Sequence, residues 1–229
     1  MEDEEPNRMQ PMPSGKIIFM NGPSSTGKTA IAKELQQLID EPYLHVGVDI
    51  FYNMMPRRYF GKDPSEGDPA YQGFRWRTVI DGDEIWYDLT PGPIGYRLLE
   101  GMYRAIAGLA SAGNNLIVDE NVIYDGQLEG YLATLRDFEI LFVGVRCSLE
   151  EIERREHERG DRWIGHAKGH YHLTHALVDA HGSYDLDIDS TNLTPLKCAK
   201  MIKGHMESGP PPNAFRQLGM ILLKENMDT

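Results

Sequence analysis

Gly22-Pro23-Ser24-Ser25-Thr26-Gly27-Lys28-Thr29 fits the pattern G-x-x-x-x-G-K-[ST], the phosphate-binding P-loop. Its glycines let the backbone curl so that successive N–H groups face one anion. In such a loop Lys28 reaches the β- and γ-phosphates of a nucleoside triphosphate, and Thr29 offers its hydroxyl to Mg²⁺. The pattern needs a strand before it and a helix after it. Lys16-Ile17-Ile18-Phe19-Met20-Asn21 is a short apolar run suited to a buried parallel strand. Downstream, Ala30, Ile31, Leu35 and Leu38 recur at helical spacing, with Lys33 and Glu34 on the other side. That helix aims its positive dipole end at the phosphates. The expected ligand is ATP, cupped by Gly22, Pro23, Ser24, Ser25, Thr26 and Gly27.

Further runs extend the strand-helix alternation. Leu44-His45-Val46-Gly47-Val48 reads as a second strand ending at Asp49, and Asn115-Leu116-Ile117-Val118 as a third ending at Asp119. Ile140 to Val145 and Leu186 to Asp189 complete five strands. Helices are expected over about 94–112, 127–136, 149–158, 167–180 and 195–206. This alternation predicts an α/β fold: a doubly wound, parallel five-stranded sheet of the P-loop nucleotide-kinase kind, with helices on both faces. Ligands in such sheets lie beyond the carboxyl ends of the strands, where the order reverses.

Three segments break the rhythm. Residues 1–15 are rich in acids and prolines and read as a disordered lead to a kinase domain over 16–229. Residues 56–95 carry Pro64, Gly67, Pro69, Gly73, Pro91, Gly92 and Pro93, and read as an inserted region on the acceptor side. Within it Phe74 to Val79 faces Glu84 to Tyr87 across the turn dipeptide Asp81-Gly82, a hairpin. Residues 208–229 form a tail whose Leu218, Met220, Ile221, Leu222 and Leu223 are expected to dock on the body.

With 229 residues, 41% of them hydrophobic and 25% charged, the chain can bury a full core. No run approaches the ~18 apolar residues of a membrane span, and the acidic start has no apolar stretch of the secretory kind. Cys147 and Cys198 read as reduced core thiols, so a cytoplasmic protein is expected. A net charge of -12 disfavours nucleic acid as the main partner and favours a small molecule. A homo-oligomer is left open.

Leu116-Ile117-Val118-Asp119-Glu120 delivers an acid at the end of an apolar strand, as needed to orient Mg²⁺ beside the phosphates. Thr29 and Asp119 are therefore the expected metal-holding pair. Asp49, at the tip of the second strand, is the expected base that takes the proton of an attacking hydroxyl. A helix N-cap role suits the same residue. Arg154, Arg155, Arg159 and Arg162 surround a glycine-containing turn, and residues 159–168 read as a lid whose guanidinium groups cover the transferring phosphoryl. Glu151 at i,i+4 offers Arg155 a plain surface pairing instead. His166 and His170 share a helical face, a weak zinc pattern lacking an acidic partner. Tyr59, Phe60, Trp76, Trp86 and Tyr87 either line an acceptor pocket or pack the hairpin.

Taken with Val46-Gly47-Val48-Asp49, Val143-Gly144-Val145-Arg146-Cys147, Arg155-Glu156, Arg159-Gly160-Asp161-Arg162 and Asp189-Ser190-Thr191, the set resembles the chloramphenicol phosphotransferase family. These are small P-loop kinases that phosphorylate a hydroxyl. The resemblance covers about Lys16 to Met206 in the same order. It implies that Asp49 is the base, that Arg155, Arg159 and Arg162 belong to the lid, and that Thr191 and Asn192 wrap the adenine. It implies ATP, Mg²⁺ and a small-molecule alcohol acceptor, without naming that acceptor. A nucleoside, nucleotide or nucleotide-sugar kinase shares this plan. A nucleotide-dependent switch has no evident use for Asp49 and the arginines.

Overall fold

The computed structural model describes residues 14–82, 84–124, 126–159 and 165–225. In chain order the first elements are β1 (Ile17–Asn21), α1 (Lys28–Leu38), β2 (Tyr43–Gly47) and α2 (Val48–Tyr52). A 3-10 turn at Arg57–Tyr59 leads to β3 (Phe60–Lys62), α3 (Pro69–Gln72), β4 (Phe74–Asp81) and β5 (Glu84–Pro91). Then come α4 (Pro93–Ser111), β6 (Asn115–Glu120), α5 (Gln127–Leu135), β7 (Ile140–Arg146) and α6 (Leu149–Arg159). The last are α7 (His166–Tyr171), α8 (Ala176–His181), β8 (Leu186–Asp189), α9 (Pro195–Ser208) and α10 (Ala214–Glu225).

The main sheet has the order β2-β6-β1-β7-β8, with every pair parallel. Successive side chains on a strand point to opposite faces, and the two cores divide accordingly. Ile17, Phe19, Leu116, Val118, Ile140 and Phe142 belong to one cluster, shared with α4, α5 and α10. Ile18, Met20, Ile117, Leu141, Val143 and Val145 belong to the other, shared with α1 and α9. The sheet is thus covered on both faces, as the alternation predicts. No helix among the described residues is long and apolar enough to cross a membrane. Cys147 and Cys198 are buried free thiols.

The order of the sheet reverses about β1, so the loop after β1 opens at the switch point where such sheets bind ligands. Gly22 is demanded there by packing, because a Cβ would lie 2.3 Å from the Val145 carbonyl oxygen of β7.

Several elements differ from expectation. The hairpin is longer on both arms, and Asp81 pairs with Glu84, so Asp81 belongs to a strand and not to the turn. A third strand, β3, adds parallel to β4, and Phe60 stacks on Phe74 at 5.3 Å. Three residues carry too little periodicity to be read as a strand. The helix expected over 167–180 is two helices, α7 and α8. Thr174 breaks it: its hydroxyl donates back to the His170 carbonyl at 2.9 Å, and its own carbonyl accepts from Asn21 Nδ2 at 2.8 Å. The tail docks through Phe215, Leu218 and Leu222, whereas Met220 is 51% exposed. The lead up to residue 13, the last four residues, and Gly160, Asp161 and Arg162 of the lid lie outside the described residues.

Candidate active site

Residues Gly22 to Gly27 form the link from β1 to α1, and two of them adopt left-handed backbone, Ser25 at φ 65° and Gly27 at φ 94°. The turn is braced from within, since the Thr26 hydroxyl donates to the Pro23 carbonyl at 2.9 Å. Ser25 Oγ is buried with no hydrogen-bond partner. Lys28 folds back over the loop, its Nζ donating to the Gly22 and Pro23 carbonyls at 2.7 and 3.0 Å. This is a cup with a cation over it and an unused hydroxyl inside it.

Parallel pairing of β6 beside β1 brings Asp119 to the same end of the sheet. Its Oδ2 accepts the Thr29 hydroxyl at 2.6 Å, and its Oδ1 lies 3.9 Å from Lys28 Nζ. Burial alone pushes this carboxyl up, but His45, Lys28 and Thr29 together outweigh it and leave its pKa below the usual value. The acid is therefore an anion, and the donor set of hydroxyl and carboxylate oxygens suits Mg²⁺.

Its neighbour Glu120 has the opposite character. It is fully buried, accepts from the Tyr131 hydroxyl and from Gln127 Nε2, and burial raises its pKa to about 8. Burial thus favours its protonated form, held in a buried network.

One cleft of about 730 Å³ joins these parts, lined by Ser25, Lys28, Thr29, Asp119 and Asp49. β2 stops at Gly47, one residue earlier than expected, so Asp49 stands in the first turn of α2 and is not its N-cap. The far wall of the cleft is made by Val48, Tyr52, Leu89, Ile123 and Tyr124. The Tyr52 and Tyr124 hydroxyls lie 2.8 Å apart, and burial keeps both phenols neutral. None of Tyr59, Phe60, Trp76, Trp86 and Tyr87 lines this cleft; Phe60 of β3 packs against Trp76 of the hairpin instead. Tyr52 and Tyr124 escaped the sequence reading because they come from segments far apart in the chain.

Arg159 lines the cleft, whereas Arg155 is built into its floor. Its guanidinium donates to the Thr26 carbonyl at 3.2 Å and to the Ser190 carbonyl at 2.8 Å, while Glu151 accepts its Nε–H at 2.7 Å. The expected Glu151 pairing and a contact with the loop thus coexist. Arg154 pairs with Glu151 and Glu158 on the outer face of α6. A second cleft of about 430 Å³ continues from the first, lined by Gly27, Arg155, Thr191 and Asn192.

Residues 166–168 of the expected lid open α7, which is sewn to the inserted hairpin. Glu156 caps α7 by accepting the Gly165 and Ala167 N–H groups at 2.8 and 2.9 Å. Trp76 Nε1 donates to His166 Nδ1 at 3.2 Å, and the Leu89 N–H donates to His170 Nε2 at 3.1 Å. A Cβ on Gly169 would meet the Tyr87 carbonyl oxygen at 2.3 Å. The two histidines are spent on this seam, and no cluster of three metal-ligating side chains occurs among the described residues.

Residues 15–207 match the family model described as chloramphenicol phosphotransferase-like protein. A protein of Mycobacterium tuberculosis named "Putative O-phosphotransferase" is 34% identical over 211 residues, covering 92% of this chain and 90% of its own length. Among solved structures, the APS kinase CysC of Mycobacterium tuberculosis in complex with AMPPNP and APS superposes with a TM-score of 0.55 at 14% identity, covering 86% of this chain and 99% of that one. A sugar kinase from Janibacter gives 0.54 at 16% identity, covering 85% and 95%. Shikimate kinase from Acinetobacter baumannii in complex with shikimate gives 0.50 at 12%, covering 85% and 94%. These structures share the fold. The family match and the curated relative support a phosphotransferase of the kinase type. The chain belongs to the chloramphenicol phosphotransferase-like protein family.

Proposed function

We propose that the protein transfers the γ-phosphoryl group of ATP, with Mg²⁺, to a hydroxyl of a small molecule. The observation that carries this reading is the single cleft in which the cup, Lys28, the Thr29–Asp119 pair and Asp49 meet. Lys28 and the loop N–H groups hold the phosphates, and the buried Ser25 hydroxyl gains a partner there. Thr29 and Asp119 hold Mg²⁺, which when bound neutralises charge on the phosphate oxygens. The continuing cleft beside Thr191 and Asn192 accommodates the base.

Asp49 takes the proton from the acceptor hydroxyl as it attacks. Arg159, and Arg162 by the family pattern, cover the phosphoryl group from the lid. No covalent enzyme intermediate is needed, so rate enhancement comes from alignment and fixed charge. The wall of Val48, Leu89 and Ile123 with two phenol groups suits an acceptor with an apolar body and a few polar groups.

The test is incubation with ATP, Mg²⁺ and a library of hydroxylated metabolites and antibiotics, read by mass spectrometry. A compound that gains one phosphoryl group, and fails to gain it with Asp49→Asn, is the expected result. ATP hydrolysis with no phosphorylated compound, alongside a nucleotide-dependent protein complex, would overturn it in favour of a switch.

A further inference from the structure

His45 has no role in the reaction as described so far. It lies on β2 at the edge of the main sheet, in register with Ile117 of β6, two residues before Asp119. Its ring lines the same cleft as Asp119, and its Nε2 stands 3.4 Å from Asp119 Oδ2. Nε2 is buried and makes no aligned hydrogen bond. An ionised carboxylate is an acceptor only, so an imidazole nitrogen turned toward it carries the proton. Nε2–H is thus the donor that His45 offers to this carboxylate.

A carboxylate offers about four lone-pair sites, two on each oxygen. One site on Oδ2 is already taken by the Thr29 hydroxyl at 2.6 Å. A small rotation of the His45 ring fills the second and saturates Oδ2. Oδ1, the oxygen nearer Lys28, is then the one left for the phosphate end of the cleft.

We infer that His45 is a positioning residue: its Nε2–H closes on Asp119 Oδ2 and, together with Thr29, fixes which oxygen is presented to Mg²⁺. This rests on the reading of Thr29 and Asp119 as the metal-holding pair. Partners that orient a ligating carboxylate typically change metal affinity by about 10–100-fold.

The experiment measures Mn²⁺ affinity by electron paramagnetic resonance with the full-length protein saturated by a non-hydrolysable ATP analogue. Analogue affinity in EDTA and melting temperature without ligand are measured beside it. His45→Leu, which removes the donor, is expected to weaken Mn²⁺ binding about 10–100-fold while analogue affinity in EDTA stays within about twofold. His45→Gln, which keeps an N–H at similar reach, is expected to stay within a few-fold of the natural protein. His45→Ala replaces the leucine variant if that one does not fold. Unchanged Mn²⁺ affinity in a folded leucine or alanine variant overturns the inference, and so does a glutamine variant as weak as those. A natural protein that binds no analogue at all overturns the kinase reading itself, which separates the two failures.

Discussion

The Thr29 hydroxyl donates to the Asp119 carboxylate at 2.6 Å, across 90 positions of sequence, and so ties the first turn of α1 to the end of β6. Lys28 sits beside this pair, 3.9 Å from the other carboxylate oxygen, and bridges it to the loop carbonyls. Lys28→Ala removes a charge-assisted donor of the kind worth about 1.5–3 kcal/mol, so nucleotide affinity measured by calorimetry should fall roughly 10–100-fold. Unchanged affinity would remove the loop from the nucleotide site.

Asp49 is exposed on α2 and lines the cleft. Asp49→Asn should therefore lower phosphorylation by about 10²-fold or more, the usual worth of a placed general base, with ATP affinity within a few-fold. Turnover that survives with the true acceptor would assign the proton to another group.

Arg155 reaches two carbonyls from different segments, Thr26 and Ser190, with separate nitrogens of a planar fork, a spread that a compact ammonium does not reproduce. Arg155→Lys should weaken nucleotide binding about tenfold and lower the melting temperature of the ligand-free protein. A lysine variant with natural affinity would show that the guanidinium only decorates α6.

His170 and His175 are buried, and loss of hydration is the main reason both pKa values fall to about 4. Asp88 near His170 and Asp179 near His175 oppose the shift without reversing it, and Arg146 adds to it at His175. An unfolded histidine titrates near 6.5, so between about pH 4 and 6.5 the unfolded chain binds more protons than the folded one. Stability should be full above about pH 6.5 and decline as pH falls toward 4, by up to about 3 kcal/mol for each residue. Thermal melts from pH 7.5 to 4.5 measure this. His175→Gln should flatten part of the slope, and an unaltered slope would place the acid sensitivity elsewhere.

The main sheet was legible because most of its strands are local apolar runs, and most end at a turn residue or an acid. The loop and Asp119 were legible because phosphate and metal binding need particular residue types at short spacing. Tyr52, Tyr124 and His45 carry no such signature; each is an ordinary helix, loop or strand residue until the fold sets it against the cleft. For Arg155 spacing suggested a surface pairing with Glu151 and the resemblance a place in the lid, but its grip on Thr26 and Ser190 depends on the tertiary placement of α6, which spacing does not encode. The split between α7 and α8 was hidden for the same reason, since the partner that opens it, Asn21, lies 153 positions away.

The close approach of α7 to β5 has an evolutionary corollary. At Gly165 and Gly169 a single added carbon would collide with Ile85 and Tyr87 main-chain oxygens, at 2.9 and 2.3 Å. A hairpin grafted from a distant relative would therefore misfit unless its own partner helix came with it. The hairpin and α7 are a matched pair of segments, and chimeras that exchange only one should fold poorly before any substrate is offered.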